Sequence, residues 1–271
     1  MTRTVLTTGA NSGIGLATVV ELARLGFRSV GSVRSPEKAA RVAEAAGRAG
    51  VQVETVHLDV TDPQACARAI ETLRPWGLVN NAGHPATGAV EDVGDDEARH
   101  VLETMVVAPM RLARLAVPHM RAAGGGRIVN MSSIYGRTTT PLSGWYQAAK
   151  HALEGVSDAL RAEVASASIA VVLVEPGAFR TRIWEEAEGD FARRQGSRYA
   201  EAYRRSLANL RWTAPLMGDP AEVARVVGRA MTAWLPRARY LVGYDAQLLA
   251  LTDLVTPTAL KDRVARLVLG L

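Results

Sequence analysis

The strongest constraint on the fold is an alternation of short β-branched runs with longer stretches of helical period. Runs rich in Val, Ile and Thr predict seven strands, at 3–8, 28–33, 51–58, 77–80, 127–132, 169–175 and 239–242. Stretches of helical period lie between them, at 13–25, 36–49, 63–73, 95–122, 145–167 and 220–234. This alternation predicts βα units that build a parallel sheet with helices on both faces. Because no linker, repeat or break in composition marks a second domain, we predict one doubly wound, Rossmann-like α/β domain over residues 1–271.

Composition places the chain among ordinary globular proteins. Of its 271 residues 48% are hydrophobic and 22% are charged, so neither a disordered nor a fibrous chain is expected. The formal net charge is +5, yet only three of the 32 basic residues are lysines, and the arginines are interspersed with acidic residues. Because no pure basic stripe or arm is present, we expect a solvated surface of mixed charge and no nucleic-acid partner.

Three observations bear on where the protein works. The longest uncharged run, around 164–174, is well short of the roughly 18 residues that a bilayer span needs. The N-terminal residues lack the basic start and apolar core of a secretory signal. Cys66 is the only cysteine, so no internal disulfide can form. We therefore predict a cytoplasmic protein without a membrane partner, and no metal site is predicted.

One long segment, residues 178–218, does not fit the alternation of strands and helices. It holds six of the 14 aromatic residues of the chain, which are Phe179, Trp184, Phe191, Tyr199, Tyr203 and Trp212. Irregular segments of this length usually form lids or binding loops. We predict a lid over a fairly apolar substrate, and the alternative is a pair of helices packed on the edge of the core.

The first predicted strand runs into a glycine-rich turn, Thr8-Gly9-Ala10-Asn11-Ser12-Gly13-Ile14-Gly15, and then into a helix. In such a turn Gly9 permits the tight bend, Gly13 lets a pyrophosphate approach the backbone, and Gly15 lets the helix pack on the strand. The dipole and the free N–H groups of the helix N-terminus attract an anion. A glycine loop at this junction therefore predicts a dinucleotide-binding site.

The spacing of these glycines, together with Asn80-Asn81-Ala82-Gly83 after the fourth predicted strand, resembles the short-chain dehydrogenase/reductase family over nearly the whole chain. The resemblance implies that Asp59 meets the adenine amino group and that Asn80 lines the adenosine pocket. It also implies that Asn81 braces the central strands, which is a structural role. Further cofactor contacts are implied for Asn11, Ser12, Ile14, Val60, Ala82 and Gly83.

The residue that follows the second predicted strand bears on the choice of cofactor. A carboxylate there binds the ribose 2′-hydroxyl of NAD, whereas an arginine accommodates the 2′-phosphate of NADP. This chain has Arg34 at that place, and Ser12 and Ser35 offer further hydroxyl donors. Relatives with a similar arginine prefer NADP(H), so we predict NADP(H) over NAD(H). The alternative, in a chain so rich in arginine, is that Arg34 is merely exposed.

Tyr146 and Lys150 stand four residues apart, on one face of a predicted helix. Chance rarely supplies this pair in a chain with six tyrosines and three lysines. A lysine where arginine is otherwise preferred indicates that a compact ammonium is required. We expect the ammonium, a bound oxidised nicotinamide, and the helix dipole if Ser143 caps the helix, to lower the pKa of the phenol from its usual value of about 10.

Two further segments match the family that the chain resembles. Ser133 has the family's spacing from Tyr146, which implies that it bonds the substrate oxygen; Ser132 is the alternative, but alternation along the strand turns it away. Tyr146 would then exchange the proton, while Lys150 lowers the tyrosine pKa and holds the ribose. The segment that follows the sixth predicted strand implies nicotinamide contacts from Pro176, Gly177, Phe179 and Thr181.

One position departs from the family pattern. The family has an asparagine 13 residues before a proline in its long helix, and counting back from Pro118 gives Met105. A thioether cannot replace an amide that anchors a water leading to the lysine. We expect a working enzyme with a slower proton supply, and the alternative is that Met105 simply packs between helices.

Together these features predict an NADP(H)-dependent carbonyl reductase or alcohol dehydrogenase that acts on a small molecule. The alternative is a dinucleotide-binding sensor or scaffold with impaired turnover, and only Met105 favours it. A third hypothesis uses the arginines between 193 and 211 to meet an acyl-carrier protein, but the acids close by favour a solvated lid. Family members are commonly dimers or tetramers, so a homodimer or homotetramer is expected.

Overall fold

A seven-stranded parallel sheet forms the centre of the computed structural model, which describes residues 2–194 and 196–271. Its strands are Thr4–Thr7 (β1), Arg28–Val33 (β2), Glu54–His57 (β3), Gly77–Asn80 (β4), Gly126–Met131 (β5), Ile169–Pro176 (β6) and Arg239–Val242 (β7). Their order is β3-β2-β1-β4-β5-β6-β7. The chain therefore builds outward from β1 to one edge and then returns to build from β4 to the other, which confirms the predicted doubly wound sheet.

Helices cover both faces of this sheet. Those described are Gly13–Arg24 (α1), Pro36–Arg48 (α2), Pro63–Leu73 (α3), Asp95–Leu102 (α4), Ala108–Ala122 (α5), Gly144–Val164 (α6), Ile183–Arg193 (α7), Ala200–Thr213 (α8), Pro220–Thr232 (α9), Tyr244–Val255 (α10) and Thr258–Leu269 (α11). Proline is the first residue of α2, α3 and α9, and Ser35, Asp62 and Asp219 before it accept a backbone N–H. These caps satisfy amides that have no partner within the helix, which fixes where the three helices begin.

Neighbouring residues of the central strands point to opposite apolar layers. Leu6, Leu78 and Ile128 pack with α3 and α5, whereas the adjacent Val5 and Val79 pack with α1 and α9. Side chains alternate along a strand, so a strand buried on both faces must be apolar at consecutive positions. Each such side chain contributes about 1.5–3 kcal/mol when it leaves water. The continuous Val and Leu runs that predicted these strands are thus explained by burial on two sides.

The third strand is shorter than predicted. Gly50 adopts a positive φ of 67° after α2, and the N–H of Val51 bonds the Ala46 carbonyl to close that helix. Residues at the start of the predicted strand therefore belong to the helix terminus, and pairing with β2 begins only at Glu54.

A π-helical turn, Glu103–Val107, interrupts the long helix predicted over 95–122 and separates α4 from α5. Pro109 has no amide hydrogen for the regular bond to the Met105 carbonyl, and the N–H of Ala108 bonds the Glu103 carbonyl five residues back. The turn carries the Met105 side chain, 1% exposed, into a cluster with Val101 and Ala149. The packing between helices that the sequence left as the alternative for Met105 is therefore present.

The segment 178–218 is not an irregular loop, because it forms α7 and α8. These helices pack on each other through Phe191 and Tyr203, whose ring centroids are 5.5 Å apart. The hydroxyl of Thr87 donates to Asp190 at 2.9 Å, and the N–H of Ala89 donates to the Tyr203 hydroxyl at 2.7 Å. The segment thus forms the helix pair that was given as the alternative, and its predicted role as a lid stays a prediction. The C-terminal helices α10 and α11 were not predicted.

No helix within the described ranges is both long and apolar enough to cross a bilayer.

Replacement of Met105 tests its role in packing. Met105→Asn should lower the free energy of unfolding by about 1–3 kcal/mol, because the amide would be buried without a partner. Met105→Leu should cost less than about 1.5 kcal/mol, since it nearly conserves the volume. Urea unfolding of both variants measures the difference. An Asn variant as stable as the Leu variant would show that a polar group, such as the unpartnered Thr104 hydroxyl nearby in the chain, can bond the amide.

Candidate active site

The glycine turn after β1 is shaped by close backbone contacts. Gly9 and Gly13 have positive φ angles of 66° and 52°, which a residue with a side chain rarely adopts. A methyl group on Gly15 would lie 2.2 Å from the Gly9 carbonyl oxygen, so only glycine lets α1 approach the turn. Asn81 donates to the carbonyls of Thr8 at 2.9 Å and Gly9 at 3.2 Å, which is the bracing role implied for it.

The N-terminus of α1 is open toward a cleft. Ser12 occupies the position before the helix, but its side chain makes no capping bond, and the first turn contains no acidic residue. The N–H groups of Gly13, Ile14 and Gly15 precede the first intrahelical bond, which Leu16 makes to Ser12. Such a helix start, positive and without its own cap, can bind an anion.

A cavity of about 290 Å³ joins this helix start to the catalytic residues implied by the sequence. The predicted site residues that line it are Ser12, Gly13, Ile14, Gly15, Gly83, Ser133, Tyr146, Lys150, Pro176, Gly177, Phe179 and Thr181. A methyl group on Gly13 would lie 2.9 Å from the side chain of Thr181, so the glycine turn and the segment after β6 form facing walls. The sheet thus brings five distant segments of the chain to one cleft.

Arg34 and Asp59 lie outside this cavity, at the ends of β2 and β3. Arg34 is exposed, and its carbonyl contacts a ring nitrogen of His57 at 3.1 Å. Burial would raise the pKa of Asp59, but bonds from the N–H and hydroxyl of Thr61, with the charge of Arg34, hold it below its usual range. The Asp59 carboxylate therefore remains charged at neutral pH, at the same edge of the sheet as Arg34.

Two predicted cofactor residues direct their side chains into the protein. Asn80 is 3% exposed and donates to the side chain of Asn130 at 2.8 Å, between β4 and β5. Val60 belongs to the core, and its carbonyl accepts from Arg111 at 3.0 Å. The sequence motif gave the positions of these residues but not the direction of their side chains. Asn11 and Ala82 lie in the turns beside the cleft but do not line the cavity.

Ser133, Tyr146 and Lys150 meet where β5 ends beside the start of α6. Ser133 accepts from the N–H of Tyr135 at 3.2 Å and is hydrogen-bonded to Tyr146. The ammonium of Lys150 donates to the Met131 carbonyl at 2.7 Å and lies 5.6 Å from the centre of the Tyr146 ring. Ser132, the alternative serine, has a buried hydroxyl with no partner among the described residues.

The expected lowering of the Tyr146 pKa does not occur in the protein without a bound nicotinamide. Burial raises the pKa of Tyr146 to about 12, and the bond to Ser133 offsets only part of that rise. Burial also lowers the pKa of Lys150 to about 8, although the charge of Glu154 opposes it. Ser143 does precede α6, which places Tyr146 in the first turn, but the Ser143 side chain forms no cap. Loss of hydration thus outweighs the nearby ammonium, and at neutral pH the site holds a phenol and an ammonium.

Several residues of the site were missed by sequence reasoning. Tyr135 meets Tyr146 edge to face at 6.4 Å, and Trp184 donates to the Phe179 carbonyl at 2.7 Å. Asp245, at the start of α10, accepts from the N–H of Ala178 at 2.6 Å and so fixes the segment after β6. No sequence motif marks these contacts, and the bond from Ala178 to Asp245 joins residues 67 apart in the chain.

A second cavity, of about 1,130 Å³, adjoins the cleft and shares residues with it. Its walls come from α8, α10 and α11 and are largely apolar. Tyr135, Phe179, Trp184 and Leu249 line both cavities. The cleft that holds Ser133, Tyr146 and Lys150 is therefore continuous with an apolar chamber. Within the described parts of the chain no group of three or more His, Cys, Asp or Glu side chains could hold a metal ion.

Comparison with known proteins agrees with this geometry. The short chain dehydrogenase family model matches residues 3–190. The chain is 36% identical over 253 residues to an uncharacterized oxidoreductase, YusZ, of Bacillus subtilis, covering 90% of each chain. It is 31% identical over 281 residues to retinol dehydrogenase 16 of Mus musculus, covering 95% of this chain and 86% of the relative.

A solved structure agrees as well. A single-residue variant of actinorhodin polyketide ketoreductase, crystallised with NADPH, superposes with a TM-score of 0.75 at 26% identity, covering 91% of this chain and 97% of that one. The fold, the glycine turn and the Ser–Tyr–Lys arrangement all agree with these comparisons. The chain is therefore an oxidoreductase of the short-chain dehydrogenase/reductase family.

Proposed function

We propose that the protein transfers hydride between NADP(H) and a carbonyl or secondary alcohol of a fairly apolar substrate. The observation that carries the proposal is the meeting of Ser133, Tyr146 and Lys150 in a cleft that begins at the glycine turn. The alternative, a sensor with impaired turnover, has only Met105 in its favour, and the packing of that side chain leaves the three residues together.

The residues of the cleft fit a nicotinamide dinucleotide. A side chain on Gly13 would enter the space between the α1 N-terminus and Thr181, so glycine there lets a pyrophosphate approach the backbone closely. Pro176, Gly177 and Thr181, which line the same cavity as Tyr146, would hold the nicotinamide. The bound nicotinamide would supply or accept the hydride, and this chain would supply the proton chemistry.

In the direction of reduction, each of the three side chains has a distinct task. Ser133 donates a hydrogen bond to the substrate carbonyl oxygen, which polarises the bond. Tyr146, protonated at neutral pH, gives its hydroxyl proton to the oxygen as negative charge develops there. The Lys150 ammonium stabilises the phenolate that remains. In oxidation the same proton returns to Tyr146.

Arg34 supports the choice of NADP(H). It is an exposed cation at the end of β2, beside Ser35 and close enough to Asp59 to affect the pKa of that carboxyl. A guanidinium there can form a charge-assisted contact with a 2′-phosphate. The ketoreductase named above was crystallised with NADPH, which agrees with this choice.

The apolar chamber supports an apolar substrate. It adjoins Tyr135 in the cleft, and its walls carry Leu210, Leu249 and Val268. One relative is named a retinol dehydrogenase, and retinol is itself a largely apolar alcohol. We also propose a homodimer or homotetramer, as in many family members. The cytoplasmic location stays a prediction.

Tyr146→Phe should abolish most turnover while cofactor binding persists. Loss of a general acid costs about 10²- to 10⁴-fold in rate, whereas the hydroxyl contributes little to ground-state binding. Steady-state reduction of a ketone panel with NADPH, beside NADPH titration by fluorescence, measures both effects. Tyr199→Phe, just before α8, should leave both unchanged. A Tyr146→Phe protein that keeps more than about a tenth of the wild-type rate, where chemistry limits turnover, would remove Tyr146 from its role.

Arg34→Asp should reverse the cofactor preference. Loss of a charge-assisted contact and gain of a repulsive charge should weaken NADPH binding by about 10- to 100-fold and leave the affinity for NADH unchanged. Titration of both cofactors against both proteins measures this. Arg48→Asp, which makes the same charge change on a side chain 72% exposed at the far end of α2, is the matched control. Equal NADPH affinity in wild type and Arg34→Asp would place the 2′-phosphate elsewhere.

A series of substrates of increasing length tests whether the chamber binds the apolar part of the substrate. The specificity constant for a series of methyl ketones should rise about fourfold per added methylene until the chamber is filled, because each buried CH₂ contributes about 0.8 kcal/mol. Leu249→Gln should reduce the rise in specificity constant per methylene, and it should leave the specificity constant for the shortest ketone unchanged. Leu251→Gln, on the outer side of α10 and 62% exposed, should leave the slope intact. If the specificity constant rises equally steeply with substrate length in both variants, the alkyl chain of the ketone does not bind in the chamber.

A further inference from the structure

Glu154 extends the line of functional side chains on α6 by one turn. Tyr146, Lys150 and Glu154 follow one another at four-residue intervals and so share one face of the helix. Lys150 and Glu154 are only 6% and 8% exposed, so both charges are held away from water. Buried charges of this kind persist in proteins only when each has partners.

One oxygen of Glu154 is tied to a buried cluster of ion pairs. Its Oε2 accepts from Nε of Arg239 at 3.0 Å, and the same guanidinium nitrogen lies 3.3 Å from Oε1 of Glu175. Arg137 bonds Glu175 at 2.9 Å, and Arg239 also bonds Asp158 at 2.6 Å. Glu175 is fully buried, so the cluster is anchored inside the protein at the end of β6. The Glu154 side chain is therefore fixed in one orientation.

The other oxygen of Glu154 has no hydrogen-bond partner among the described residues. It packs on Gly136, where a methyl group would lie 3.3 Å from this oxygen and 2.7 Å from the Ser132 hydroxyl. The Ser132 hydroxyl is also buried and unpartnered within those ranges. Both atoms therefore lie beside Gly136, and Ser132 directly follows Met131, whose carbonyl accepts from the Lys150 ammonium. The unpartnered oxygen of Glu154 thus lies on the side of its carboxylate that faces the end of β5, where Lys150 is held.

We propose that Glu154 is a positioning residue of the catalytic site, whose fixed carboxylate keeps the Lys150 ammonium charged. The inference rests on the proposed function of Lys150. Burial lowers the pKa of Lys150 to about 8, and the negative charge of Glu154 works against that loss. Because an opposite charge favours the charged form, Lys150 without Glu154 should lose its proton at a lower pH.

The titratable and charged groups on the elements packed against the Lys150 end of α6 are either neutral or paired with other residues. On α6, His151 is exposed and bonds the Gln147 carbonyl. After β5, burial raises the pKa of Tyr135, which is therefore neutral at pH 7. On α4 His100 stacks on His84, and the charged residues there and in the π-helical turn form the pairs Arg99–Asp95, Arg99–Asp96, Arg194–Glu97 and Arg111–Glu103. On β6 and β7, Glu175 and Arg239 face each other within the cluster.

The test measures the ionisation of Lys150 directly. The chain has only three lysines, so protein labelled with ¹³C at lysine Cε gives three NMR signals, assigned with Lys38→Arg and Lys261→Arg. In Glu154→Gln the Lys150 signal should titrate about one pH unit lower than in the wild type. The other two signals should not move. An unchanged Lys150 midpoint would overturn the proposal.

Two further variants separate charge from loosened packing. Arg239→Gln removes a positive charge from the same carboxylate and should raise the Lys150 midpoint, whereas damaged packing would shift both variants alike. If Glu154→Gln does not fold, Arg239→Gln alone tests the proposal. A Lys150 midpoint in Arg239→Gln that is unchanged or lower than in the wild type would overturn it. Asp158→Asn, one turn further along α6, breaks the same cluster and should leave the midpoint within about 0.3 pH units, since the carboxylate it removes is more distant.

The pH profile separates this inference from the proposed function. In Glu154→Gln the alkaline limb of kcat/KM for ketone reduction should move to lower pH by the same amount as the NMR midpoint. Glu154→Asp keeps the negative charge. Its Lys150 midpoint and its alkaline limb should therefore both match those of the wild type. If the midpoint moves while the alkaline limb stays in place, the Glu154–Lys150 coupling stands and the proposed role of Lys150 in the reaction is wrong.

Discussion

The side-chain amide of Asn81 fastens the glycine turn to the neighbouring strand, and the rest of the site is built on that contact. It donates to two carbonyls at the end of β1, while the Thr8 hydroxyl accepts the N–H groups of Asn81 and Ala82 at 2.9 Å each. These bonds satisfy backbone groups just where the strand order turns from β1 to β4. The N-terminus of α1 packs on the same amide. The contact therefore fixes the positions of the glycine turn, the helix and the cleft relative to one another.

A layer of buried polar groups continues this arrangement toward Ser133, Tyr146 and Lys150. Asn80 bonds Asn130, and Asn130 donates to Ser157 of α6 at 2.8 Å. These contacts link β4, β5 and α6 beneath the cleft, so the helix that carries Tyr146 and Lys150 is held to the sheet by directional bonds as well as by apolar packing. Precise placement matters here because the proton must pass between fixed atoms.

The region over the cleft depends on contacts between distant parts of the chain. Aromatic content in 178–218 indicated an apolar environment, but the sequence did not show that two helices supply it, because short surface helices bury only a narrow stripe. Asp190 and Tyr203 attach these helices to the segment after β4, and Asp245 attaches α10 to the segment after β6. The chamber exists only where these elements meet, and no local pattern describes such a meeting.

Local sequence patterns were enough to predict the sheet, the glycine turn and the spacing of Tyr146 and Lys150, since strand and helix periods and turn geometry are local properties. The tertiary structure alone decided the orientation of Asn80 and Val60, the burial of Met105 and the direction of the Tyr146 pKa shift. It also decided that Glu154 would stand beside Lys150 within a cluster drawn from four separate elements. These features depend on how much water the folded chain excludes around each group, and that exclusion comes from residues far apart in sequence.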